Sequence, residues 1–126
     1  MKTGQILEQT IAAFNDRRYN DAANLAEKGC QDVQGRDEVF WFGLHEICLG
    51  YQLLSERQLA RAETKLVAAM EKLRNFGFRY QNFEITAALA GVRLGVEEIR
   101  AVRERNKKAF DVTLLPTLKL MAKADD

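Results

Sequence analysis

Large apolar residues and short alanines recur at helical spacing through two neighbouring segments of this chain. That recurrence constrains the fold most. The first segment is Phe14-Asn15-x-x-x-Tyr19-x-x-Ala22. The second is Phe40-Trp41-Phe42-Gly43-Leu44, leading into Leu59-x-x-Ala62-x-x-x-Leu66. Residues three and four apart share one face of a helix. Polar breaks divide the pattern into separate helices. The single proline, Pro116, lies near the end, so long unbroken helices are allowed almost everywhere before it. A stack of antiparallel helices is written this way.

The spacing predicts five of them. The first runs from about Thr3 to Arg17, capped by Thr3, with Ile6, Leu7, Ile11 and Phe14 in one stripe. Asn20 is a plausible cap for the second, which carries Ala22, Ala26, Cys30 and Val33 on one face. Such small residues let a neighbour come close. Gly35 suits a helix stop and Asp37 a new cap. The third helix covers about Glu38 to Leu54, with Phe40, Leu44, Ile47, Cys48, Tyr51 and Leu54 inward. Gly43 and Gly50 lie near that stripe. A glycine costs about 1 kcal/mol against alanine inside a helix, so two of them predict close helix contact. Ser55-x-x-Gln58 reads as a capping box opening the fourth helix, which extends to about Asn75. Asn82 would cap the fifth, which carries Ile85, Leu89, Val92, Val96, Ile99 and Val102 inward. Arg93–Glu97 and Arg100–Glu104 are spaced for solvated ion pairs on its outer face. No strand pattern competes with helix. The expectation is an all-α bundle over residues 1–109. Residues 110–126 follow as an extended tail lying on the body, frayed from Ala122 to Asp126.

A chain of 126 residues fits one domain with a sufficient core. The net charge of +1 gives no field toward nucleic acid or anionic lipid. No apolar run is long enough for a signal peptide or a transmembrane helix. Cys30 and Cys48 then read as reduced, small apolar residues of a cytosolic protein.

Three of these segments resemble a known family: Phe14-Asn15-x-x-x-Tyr19-x-x-Ala22, Phe42-Gly43-Leu44 and Ala62-x-x-x-Leu66-x-x-Ala69-x-x-Lys72-Leu73. The family is the small helical domain-of-unknown-function family numbered three hundred and nine. Its members are often labelled predicted metal-dependent hydrolases. The resemblance covers Ile11 to Leu73 and rests on helical spacing and the placing of glycine and alanine. The family's Ala-His-Glu-x-x-Glu run corresponds here to Ala22-Ala23-Asn24-Leu25-Ala26-Glu27. Ala23 stands for the histidine and Asn24 for the first carboxylate; only Glu27 remains. Tyr19-x-x-Ala22 and Leu44…Gly50-Tyr51 also look like helices of tetratricopeptide hairpins. The Tyr19-x-x-Ala22 and Leu59-x-x-Ala62 copies lie forty residues apart instead of about thirty-four, which is shared packing logic and no regular array.

Two functional readings follow. His45 is the only histidine, beside Glu46 and one turn from Cys48. With Cys30 or Glu27 from the second helix it could begin a metal cluster, but the ligand count is short. Glu27, Glu38, Glu46, Glu63 and Glu71 lack the Glu-x-x-His pairs of a carboxylate cage and read as solvated. Ser55 and the threonines form no nucleophile elbow, and no glycine loop could cradle phosphate. Arg100, Arg103, Arg105, Lys107 and Lys108 form a basic cluster where helix-end cations are favoured anyway. The aromatics argue differently. Phe40, Trp41 and Phe42 are adjacent and cannot share one face, since successive residues turn by about 100°. Trp41 is expected to reach a second surface. Trp41, Phe42, Arg79 and Tyr80 are therefore the candidate surface of a non-enzymatic interaction module, binding a protein partner or another copy of the chain, with no cofactor. The alternative, implied by the family label, is a metal-dependent hydrolase using Glu27, His45 and Glu46, with Cys30, His45 and Cys48 as alternative ligands.

Overall fold

The computed structural model describes residues 2–121. The five helices are α1 (Thr3–Asn15), α2 (Tyr19–Gly29), α3 (Arg36–Ser55), α4 (Leu59–Leu73) and α5 (Ile85–Arg103). Each packs on the next along the chain. The stretch 122–126, read above as frayed, lies outside the described residues.

The helices form two hairpins closed by the same corner. α1 and α3 each end on an acidic residue, Asp16 or Glu56, followed by an arginine in the left-handed region, Arg17 (φ 65°) or Arg57 (φ 63°). The next amide bonds back five residues: Arg18 N–H to Ala13 O at 2.9 Å, Gln58 N–H to Leu53 O at 2.9 Å. That closes the exposed carbonyls of a helix end in a Schellman turn. α5 ends likewise on Glu104 and Arg105 (φ 64°), with Asn106 N–H bonded to Ala101 O.

The expected caps do not form. None of the five α-helices receives a side-chain hydrogen bond at its N-cap, where Lys2, Arg18, Gly35, Gln58 and Glu84 stand. Thr3, Asn20 and Asp37 lie inside their helices. Asn82 (φ 66°) sits in a turn. Ser55 is the last residue of α3 and donates to Gln52 O at 2.6 Å, so no capping box opens α4.

The glycines of α3 act as the sequence predicts. A Cβ on Gly43 would sit 2.7 Å from Leu73 Cγ, and one on Gly50 would overlap Leu66. Helices α3 and α4 are thus in contact along their length. On the opposite side, Gly29 at the end of α2 faces the ring of Trp41. The third side of α3 carries Phe40, Leu44, Ile47 and Tyr51 into the centre of the core. Tyr51 crosses there to touch Gly95 of α5 and the ring of Phe14 in α1.

One element lies outside the sequence expectation. Residues Arg79–Tyr80 (β1) and Phe83–Glu84 (β2) form a short antiparallel hairpin. Phe83 also bridges to Leu120. The tail thus adds a third edge to the hairpin: Glu84 N–H bonds Lys119 O at 3.0 Å and Met121 N–H bonds Asn82 O at 2.7 Å. The described part of the tail is extended apart from one 3-10 turn at Val112–Leu114. Leu118 is buried. Asn15 grips it from α1, donating to Leu118 O at 2.9 Å and accepting from Leu118 N–H at 2.7 Å. Arg17 donates to Pro116 O. Glu98, 6% exposed on α5, accepts from Lys107 Nζ at 3.0 Å and from Asp111 N–H at 2.9 Å.

Candidate functional site

The four residues expected to share an interaction surface do not converge. Trp41 is fully buried between Phe40 and Gly29, which corrects the expectation that it reaches outward. The reason is local: α2 ends in glycine where the indole lies, so α2 itself supplies the second surface. Tyr80 is half-buried in an aromatic cluster, with ring centroids 5.1 Å from Phe40 and 4.8 Å from Phe76. Its hydroxyl donates to Asp37, and that charged acceptor raises the phenol pKa. Arg36 lies over the Phe76 ring at 4.3 Å, a cation–π contact. Arg79 is exposed and reaches Met121 Sδ. Phe42 faces the other way, two residues and about 200° from Phe40.

Phe42 belongs to an exposed stripe of α3. Val39 and Phe42 are 40% and 41% exposed, and Leu49, His45 and Glu46 are half-buried beside them. The stripe lies between α2 and α4. Glu27 and Glu38 stand on the α2 side, close enough to act on Cys30. Lys65 and Lys72 stand on the α4 side, and Lys72 Nζ pairs with Glu46 Oε1 at 2.7 Å. Acidic and basic edges thus flank an apolar centre.

The candidate metal ligands do not assemble. Among the described residues, no three of His, Cys, Asp or Glu lie together as an ion would need. Cys48 is buried, and burial pushes its thiol pKa far up. His45 is held below its ordinary pKa, first by burial; Glu27 and Glu46 oppose this and Lys65 adds to it. The folded pKa is the depressed one. His45 therefore contributes stability present above its unfolded value of 6.5, which is lost as the pH falls through the folded value.

Cys30 is half-buried, and its thiol is pushed up to about 11 by burial, then by Glu27 and Glu38. At pH 8 about one thiol in a thousand is then ionised. Alkylation of the native protein by iodoacetamide at pH 8 is expected to be at least about tenfold slower than for the unfolded chain, and to rise steeply above pH 10. Mass spectrometry of the Cys30 peptide checks this; equal rates at pH 8 would refute it. The sign for stability follows, because the folded pKa exceeds the unfolded value of 9.0. The contribution is whole below pH 9 and is lost as the pH climbs through 11.

The basic cluster is divided among intramolecular partners. Glu63 on α4 accepts from Arg100 at 2.7 Å and from Arg103, joining α4 to α5. The Arg100 hydrogen bond chiefly holds Glu63 below the usual carboxylate range. Arg100 pairs with Glu63 where the helix spacing predicted Glu104, and Arg93 pairs with no acid among the described residues. Lys107 is held by Glu98. Arg105 and Lys108 form no ion pair among the described residues.

Sequence reasoning missed a cleft of about 640 Å³ under the tail. Its walls are Leu54 and Leu59 from the second corner, Val102 of α5, and Phe110, Val112 and Leu115 of the tail. Tyr19, Tyr51, Arg57 and Lys108 also line it. The Tyr51 hydroxyl is buried and has no hydrogen-bond partner among the described residues, and burial raises its pKa well above the ordinary phenol value. An orphaned buried hydroxyl costs about 1–3 kcal/mol. The missed signal is the pair of arginines at equivalent corners, Arg17 and Arg57.

No described helix is long and apolar enough to cross a membrane. The chain matches no protein-family model, no curated protein and no solved structure.

Proposed function

We propose that this protein is a non-enzymatic helical interaction module of the cytosol that pairs with a second copy of itself through the outer stripe of α3. The observation that carries the reading is the stripe itself. Phe42 and Val39 remain exposed at its centre, whereas Phe40, Trp41 and Phe83 are fully buried in the core. Exposed apolar residues gathered on one helix face, with a charged rim, have the composition of an interface.

The rim favours one arrangement. A two-fold axis along α3 lays the Glu27–Glu38 edge of one copy on the Lys65–Lys72 edge of the other. An axis across α3 would set acid on acid, which opposes association. Parallel α3 helices in contact at Phe42 follow. Phe42→Glu would bury a carboxylate on the axis twice per dimer and is expected to weaken association by at least about a hundredfold without lowering Tm of the monomer. Sedimentation velocity across a concentration series reads both proteins. A parent chain that stays monomeric at high micromolar concentration would refute self-pairing, and so would a Phe42→Glu chain that dimerises like the parent.

A further inference from the structure

We propose that the cleft beneath the tail is a binding site for a small amphipathic carboxylate, an apolar body with one anionic end such as a medium-chain fatty acid. The cleft shares no lining residue with the outer stripe of α3, so the inference stands apart from self-pairing.

The volume comes first. About 640 Å³ is within the range of small-molecule sites, roughly 300–1,000 Å³. The walls come next. Leu54, Leu59, Val102, Phe110, Val112 and Leu115 give an apolar lining from three parts of the fold. Burying an alkyl chain there gains about 0.8 kcal/mol per methylene, which drives entry of a hydrocarbon and not of a sugar or a phosphate ester.

The charges select the head. Arg57 and Lys108 line the cleft, and neither has an ion-pair partner among the described residues. The other corner arginine, Arg17, is occupied by Tyr19 Oη and Pro116 O. Arg57 keeps a left-handed backbone (φ 63°) that glycine would adopt without cost. That backbone closes the corner between α3 and α4, which sets Arg57 in the cleft wall. Guanidinium offers a carboxylate two parallel donors.

Tyr51 also lines the cleft. It is fully buried, with its hydroxyl turned to Gly95 of α5, so the anionic head is left to Arg57 and Lys108. The roof is fitted to the role. Glu98 anchors the tail at Lys107 and Asp111, on either side of Lys108 and Phe110, so the lining is held while Val112 stays mostly exposed at the mouth.

The test is an NMR titration of the full ¹⁵N-labelled chain with decanoate below its micelle concentration, beside decanol and decylammonium. The expected result is a Kd for decanoate below about 0.1 mM, with shifts gathered at Leu54–Leu59, Val102 and Lys108–Leu115. Decanol should bind at least tenfold more weakly and decylammonium more weakly still. Arg57→Gln with Lys108→Gln changes two exposed side chains, leaves the fold intact, and should cost decanoate at least tenfold. Unmoved cleft amides at saturating decanoate overturn the proposal. So do equal affinities for decanoate and decanol, or a double variant that binds decanoate like the parent.

Discussion

Trp41→Ala is expected to destabilise the fold by about 3–5 kcal/mol, a fall in Tm of roughly 10–20 °C. The indole is among the largest fully buried side chains, and its removal leaves a void bounded by Phe40 and the end of α2. Gly29→Ala should also destabilise, by about 2 kcal/mol or more, since the new methyl would overlap the rigid indole ring. Helix propensity alone predicts the opposite sign, a gain of about 1 kcal/mol. The two changes relieve each other. In the Trp41→Ala background, Gly29→Ala has room and should become neutral or stabilising, a coupling of about 2–3 kcal/mol. Urea unfolding of the four proteins in the cycle measures it. Additive effects would show that Gly29 and Trp41 do not share the space described.

Phe83→Ala is the second large effect, about 3–5 kcal/mol. Phe83 is fully buried, 5.7 Å from Phe40 between ring centroids, and its backbone bridges to Leu120. Loss of the ring should do more than open a cavity. The amides of Glu84 and Met121, which hold the tail to the hairpin, should lose hydrogen-exchange protection before those of α3 do. If Glu84 and Met121 exchange no faster relative to α3 than in the parent, the ring does not hold the tail.

The helices were legible because their signal is local. Spacing of Ile6, Leu7, Ile11 and Phe14, or of Ala62, Leu66, Ala69 and Leu73, marks a buried face without knowledge of what covers it. Gly43 and Gly50 announced the close α3–α4 contact for the same reason. The caps were misread because Schellman corners at Arg17 and Arg57 begin each new helix within three residues, leaving no position for Asn20 or Ser55 to act as a cap. Trp41 was misread because helical geometry says only that it faces away from Phe42. Which neighbour receives it depends on a glycine twelve residues earlier in another helix. The short hairpin was invisible: two residues a side carry no period, and its third edge comes from the far end of the chain. The cleft joins Arg57 to Lys108 through such distant packing, so only the fold brings its lining together.

Asn15 and Leu118 fasten to one another across 103 positions of chain, and Arg17 and Pro116 close a loop nearly as long beside them. A loop of that length carries an entropy of closure of about 4 kcal/mol, which two bonds alone would not offset. The bundle must therefore stand before the fastening can form. The final stretch is a latch set last in folding and the first to lift, and the half-finished molecule is a chain of hairpins whose opening and closing helices are not yet tied.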